Sequence, residues 1–139
     1  MRGARMLGLG LLTLTMLGGC HRGPASLAPV TGKVAFKGYS LQGGTIVFTR
    51  DSSKGENGPL AFGKINQDGT YNLYTGDVLG APAGCYRVTV TSLAPSGAQA
   101  PGQPFSYSLL PDKYRDPEHS ELACEIKGDR ANSIDFNLD

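Results

Sequence analysis

Residues 85–91 constrain the fold most. Tyr86, Val88 and Val90 alternate with Arg87, Thr89 and Thr91, and a period of two belongs to a β-strand with one buried face. The pattern recurs along the chain. Val30, Gly32, Val34 and Phe36 alternate with Thr31, Lys33, Ala35 and Lys37, and residues 44–50 put Ile46 and Phe48 on one face. Residues 60–66, Tyr71 with Leu73, residues 122–127 and residues 134–138 complete the set. Turn residues separate these runs. Lys37-Gly38-Tyr39-Ser40 and Gln67-Asp68-Gly69-Thr70 are turns, since Gly after Asp or Lys readily takes the positive φ that tight hairpins need. Residues 51–59, 76–84 and 92–106 read as loops, and residues 109–117 hold one helical turn. The 20 glycines and 9 prolines suit many short strands. The expected fold is all-β, a seven-stranded antiparallel β-sandwich. Ile46, Phe48, Tyr86, Val88, Val90, Ile134 and Phe136 are expected in its core, with Lys33, Lys37, Arg87 and Asp135 facing solvent.

The N-terminus has a different character. Arg2 and Arg5 precede an uncharged apolar run from Met6 to Leu17. Twelve residues are too few for a membrane-spanning helix, which needs about 20. A basic start with a short apolar run reads as a secretory signal. Leu17-Gly18-Gly19-Cys20 resembles the bacterial lipobox, in which a branched residue and two small ones precede a lipidated cysteine. The resemblance implies cleavage before Cys20, a thioether-linked diacylglycerol on it, and a further acyl chain such as palmitate on the new amine. Two or more chains anchor stably where one does not. Residues 1–19 are thus expected as a lipoprotein signal peptide, 20–29 as a flexible tether containing Pro24 and Pro29, and 30–139 as the domain. Removing Arg2 and Arg5 leaves 11 basic residues against 12 acidic. That balance offers no clustered basic surface for nucleic acid.

Several segments of the mature chain resemble carboxypeptidase regulatory-like domains, which have the transthyretin-like (prealbumin-like) fold. They are Pro29-Val30-Thr31-Gly32-Lys33-Val34, Leu41-Gln42-Gly43-Gly44-Thr45-Ile46-Val47-Phe48, Asp68-Gly69-Thr70-Tyr71-Asn72-Leu73 and Ala81-Pro82-Ala83-Gly84-Cys85-Tyr86-Arg87-Val88-Thr89-Val90. Leu110-Pro111-Asp112-Lys113-Tyr114 and Ser120-Glu121-Leu122 resemble a subset of short bacterial lipoproteins built on that domain. These motifs are turn glycines and core residues, so they bear on fold and name no catalytic residue. Hydroxyisourate hydrolases share the fold but end in Tyr-Arg-Gly-Ser, whereas this chain ends Asp135-Phe136-Asn137-Leu138-Asp139. Intradiol dioxygenases hold iron with two tyrosines and two histidines, and only His21 and His119 are present here.

Lipidation of Cys20 leaves Cys85 and Cys124 as a pair in an oxidising compartment, which favours a disulfide between them. The phase opposes it: Cys124 shares a face with Leu122 and Ile126, whereas Cys85 lies opposite Tyr86. A bulge beside Gly84 would reconcile the two, and separate thiols are the alternative. Asp112, Asp116, Glu118 and Glu121 intermix with Lys113 and Arg115, the pattern of a solvated, internally paired loop. His119 is a loop histidine, and Tyr114 is expected to anchor the loop on the sandwich. No metal site, cofactor or catalytic constellation is expected. The expected function is a non-enzymatic envelope lipoprotein, held to a membrane through Cys20, with its domain in the periplasm or at the cell surface. It would be structural or bind another envelope protein. The alternative is a carbohydrate- or peptide-binding protein, for which Tyr39, Tyr74 and Phe105 are candidate platform residues.

Overall fold

The computed structural model describes residues 26–94 and 108–139. Leu17, Gly18, Gly19, Cys20 and Phe105 lie outside the described residues. The described chain is all-β. Its strands are β1 (Leu27–Ala28), β2 (Val30–Phe36), β3 (Tyr39–Ser40), β4 (Gly44–Arg50), β5 (Ala61–Ile65), β6 (Thr70–Asn72) and β7 (Tyr74–Thr75). They continue with β8 (Val78–Leu79), β9 (Ala81–Pro82), β10 (Gly84–Thr91), β11 (Ala123–Ile126), β12 (Asn132–Ser133) and β13 (Phe136–Leu138). The helical turn expected within 109–117 is a 3-10 turn over Asp112–Arg115, and a second covers Ser52–Lys54. No helix among the described residues is long and apolar enough to cross a membrane.

One sheet has the antiparallel order β11-β10-β4-β5-β7-β8. The other is built on β2. Antiparallel β6 and β3 flank one edge of β2, and β12 and β13 run parallel to it along the other. This corrects the expected all-antiparallel pairing. The chain leaves β11 in the first sheet and crosses to the second, where it arrives running in the direction of β2. The two-residue ladders also correct the count of seven. β3 closes a hairpin on β2 through Lys37 and Gly38, both at positive φ (49° and 83°), the signature of a type I′ turn. β7 and β8 form a hairpin within the expected 76–84 loop, and β1 pairs with β9. Ala28 is buried, so packed structure extends into the expected tether.

The inner faces of the two sheets share one core. Phe48 sits at its centre, with ring centroids 6.2 Å from Tyr71, 5.9 Å from Tyr86 and 6.0 Å from Phe136. Ile46, Val88 and Val90 are fully buried from one sheet, and Val30, Val34 and Leu138 from the other. Ile134, expected in the core, is only partly buried, because the ladder is altered at that residue. Its N–H donates to Thr31 O at 2.9 Å as in a regular parallel ladder. Its carbonyl instead accepts the Tyr71 hydroxyl at 2.6 Å, while the Lys33 N–H donates to the Asp135 carboxylate at 2.7 Å. Each backbone group displaced from the ladder is therefore satisfied by a side chain. Gly32 lies beneath this crossing, where any Cβ would overlap the Ile134 carbonyl.

Candidate functional site

The two ends of the sandwich differ. At the entry end, β1 pairs with β9, which leads into Gly84 at the start of β10, and Tyr86 pairs with Arg50 at the end of β4. At the far end lie the start of β4, the ends of β5 and β10, and the β2–β3 turn. Two grooves open there. One, of about 460 Å³, lies on the outer face of the six-stranded sheet between Thr45, Thr91, Phe62, Lys64 and Leu93. The other, of about 420 Å³, is lined by Phe36, Lys37, Tyr39, Ser40, Leu41, Gln42 and Leu109. They flank a shared rim in which the Ser92 hydroxyl donates to Gly43 O and Leu109 N–H donates to Ser92 O.

Sheet parity builds the first groove. Ala61, Gly63 and Ile65 face inward on β5, so Phe62 and Lys64 face outward. Phe62 pairs with Val47 on one side and Tyr74 on the other, and Tyr74 pairs with Leu79. The result is an apolar row across four strands, with Phe62 42 % and Tyr74 40 % exposed. The second groove is made by hairpin geometry. The type I′ turn projects Tyr39 into solvent at 81 % exposure, and the Lys37 ammonium stands 5.2 Å from the Phe36 ring centre. Tyr39 and Tyr74, expected as platform residues, are thus both accessible, but they occupy different surfaces. Phe62, Leu93 and Leu109 were not among the expected site residues. Phe62 had a readable signal, since it stands out of phase with Ile65 between two small residues.

The entry end carries charge rather than a groove. Asp51 is buried, and its carboxylate accepts hydrogen bonds from the Ser53 N–H, the Ser53 hydroxyl and the Arg87 Nε at 3.1, 2.6 and 3.3 Å. The Ser53 hydroxyl first, and then the Arg87 guanidinium, hold its pKa below the usual carboxylate range. Arg87 is accordingly half-buried and ion-paired, rather than freely solvated as expected. Arg50 lies over the Tyr86 ring at 4.7 Å and donates to Ala83 O and Glu56, fastening the 51–60 loop to the start of β10. A Cβ on Gly84 would overlap its guanidinium. The Asp51 and Glu56 carboxylates are thus paired, while the Arg50 Nε is buried without a hydrogen-bond partner among the described residues.

The expected Cys85–Cys124 bridge is not formed, and both thiols are free. β10 and β11 pair without a bulge, from Gly84 with Ile126 through Arg87 with Ala123. Cys124 therefore sits opposite Tyr86 on the inner face, and Cys85 opposite Glu125 on the outer face. Adjacent residues on neighbouring strands point to opposite sides, and only a one-residue slip would bring the sulfurs together. Burial pushes the Cys124 thiol up to about 12. Lys54 Nζ stands 3.8 Å from Cys85 Sγ.

The acidic segment pairs internally. Arg115 meets Asp112 at 3.2 Å, and His119 meets Asp116 at 2.6 Å, with the Asp116 hydrogen bond raising the His119 pKa. Tyr114 is buried, its hydroxyl accepting from the Asp139 N–H at 2.9 Å, which ties the 3-10 turn to the C-terminus. Among the described residues, no three His, Cys, Asp or Glu side chains converge as metal ligands would. Comparison with known protein families, curated proteins and solved structures finds no match to this chain.

Proposed function

We propose that this chain is an exported lipoprotein with a signal peptide over residues 1–19, lipid on Cys20, and a non-enzymatic transthyretin-like sandwich of the carboxypeptidase regulatory-like type. It acts in the cell envelope, in the periplasm or at the cell surface, as a structural or protein-binding module. The observation that carries this reading is the polarity of the domain. The chain enters at one end, and both grooves open at the other. A protein tethered by its N-terminus presents its far end to whatever lies beyond the membrane. In these two grooves the ionisable side chains are Lys37, Lys64 and the Tyr39 phenol, and a further groove of about 420 Å³ on the second sheet adds only Lys33 and Asp135. That suits recognition by shape and apolar contact better than acid–base chemistry, which needs convergent titratable groups.

Site-specific photo-crosslinking in intact cells tests this. A photoreactive residue at Tyr39 or Phe62 should capture one discrete envelope protein, and Leu109→Asp should remove the Tyr39 adduct. Failure of both groove positions to crosslink, or identical adducts from every surface position, would overturn the reading. A second reading, binding of carbohydrate or peptide, rests on Tyr39. Its exposed ring beside the Ser40 hydroxyl and the Gln42 amide offers both a stacking face and hydrogen-bonding groups. Titration with envelope polysaccharide fragments would then show saturable binding that Tyr39→Ala abolishes.

A further inference from the structure

The apolar row that runs from Phe62 through Tyr74 to Leu79 ends at an exposed sheet edge on the side where the chain enters. β8 is the last strand of its sheet and pairs only with β7. Val78 is 60 % exposed there and Leu79 51 %, and Leu60, which precedes β5 at the same end, is 51 % exposed. An uncovered edge strand bearing aliphatic side chains is a surface that proteins normally cover or charge. The β7–β8 hairpin carries a single charge, Asp77 in its turn.

The chain enters beside this edge. Leu27 pairs with Pro82, and a Cβ on Gly80, the residue after Leu79, would stand 3.2 Å from the Leu27 side chain. From Cys20 to Ser26 there are seven residues, which span at most roughly 25 Å when fully extended. A lipid on Cys20 therefore holds Val78 and Leu79 within reach of the bilayer surface, while the far end points away.

We infer that the β7–β8 edge rests on the lipid bilayer beside the anchor, with Val78 and Leu79 at the headgroup–acyl boundary. This rests on the lipoprotein reading above. The bilayer interface suits such an edge, because it accepts apolar side chains while hydrated headgroups satisfy the unpaired N–H and C=O groups of β8. The exposed side chains of β8 are aliphatic and the one charge of its hairpin is acidic, so the contact is apolar and zwitterionic lipid suffices. It also fixes the orientation of the domain, with the Tyr39 groove turned outward.

The chain has no tryptophan, so one added tryptophan is a clean reporter. Full-length lipidated protein carrying Leu79→Trp, and separately Val78→Trp, is incorporated into phosphatidylcholine vesicles with and without dibrominated acyl chains. Tyr39→Trp reports on the far end. Blue-shifted emission at position 79 or 78, quenched by the brominated lipid, together with unshifted, unquenched emission at position 39, is the expected result. Water-exposed, unquenched emission at both edge positions, in protein that still floats with the vesicles, overturns the docking and leaves the anchor standing. Blue-shifted but unquenched emission at the edge means that a second copy covers it, which also overturns the inference. Equal quenching at all three positions does so too, by removing the orientation. Protein that does not float at all overturns the lipoprotein reading, and the inference falls with it.

Discussion

Tyr71 is the residue on which the second sheet turns. Its hydroxyl takes the Ile134 carbonyl out of the β2 ladder, and the Asp135 carboxylate fills the gap at Lys33. Tyr71→Phe removes only the donor and leaves that carbonyl unpaired, so it should cost about 1–3 kcal/mol of unfolding free energy by denaturant titration. Burial raises the pKa of Tyr71, of Tyr86 to about 12, and of Cys124 to about 12. Their ordinary values are 10.0 for tyrosine and 9.0 for cysteine. Below those values both states hold the protons and the groups contribute fully. Above them the unfolded chain releases protons first. These three groups should therefore leave the melting temperature unchanged between about pH 8 and pH 9 and lower it as the pH rises further, toward the folded values near 12. A flat profile to pH 11 would contradict this burial. The cysteines make a third residue-scale test. In the unreduced native protein a maleimide should label Cys85 rapidly, while Cys124 reacts only after unfolding, when both labels appear. The conflict of phase between Cys85 and Cys124 was legible in the sequence. Counting cysteines pointed the other way, because a count finds partners without regard to the face each occupies.

Strands β4 and β10 form the spine of the first sheet, joined by six consecutive pairs from Tyr86 with Arg50 to Thr91 with Thr45. Their inward side chains are completely buried, whereas those of β8 are largely open. The same substitution should therefore separate the two elements. Val88→Ala should cost on the order of 1–3 kcal/mol through lost transfer and a residual cavity, and Val78→Ala should change stability by less than about 0.5 kcal/mol. Equal costs in denaturant titrations would mean that the assigned faces are wrong. The longer strands were readable because five to eight alternating residues carry a period. Tyr39–Ser40 and Val78–Leu79 are two residues each and carry none. Parallel pairing of β13 was also invisible, since alternation marks the buried face and is the same for either strand direction. The second groove escaped for a related reason. It joins Phe36 and Tyr39 to Leu109, some seventy positions away, and no local pattern links them.

At the scale of the whole molecule, the domain has an axis, with chain entry at one end and grooves at the other. That axis matters only if something holds the entry end, and the sequence feature that would do so is Leu17-Gly18-Gly19-Cys20. Cys20→Ser removes the sulfur to which a diacylglycerol would be attached and changes no described residue. If the domain folds on the contacts seen from Leu27 onward, the variant should retain the native melting temperature. It should also keep the Cys124 protection described above and any groove-dependent ligand binding measured in solution. Only its location should change, from the membrane pellet to the soluble fraction or to an unprocessed precursor, because the lipobox reading places every lipid on Cys20 and the diacylglycerol needs its sulfur. Intact-mass analysis supplies the complementary measurement on the unaltered protein: the membrane-bound species should begin at Cys20 and carry the added mass of its acyl chains. A Cys20→Ser protein that stayed as membrane-bound as the parent would mean that the β7–β8 edge or another surface suffices to hold it. A parent protein found soluble with an unmodified Cys20 would leave the axis of the domain without the anchor that gives it direction.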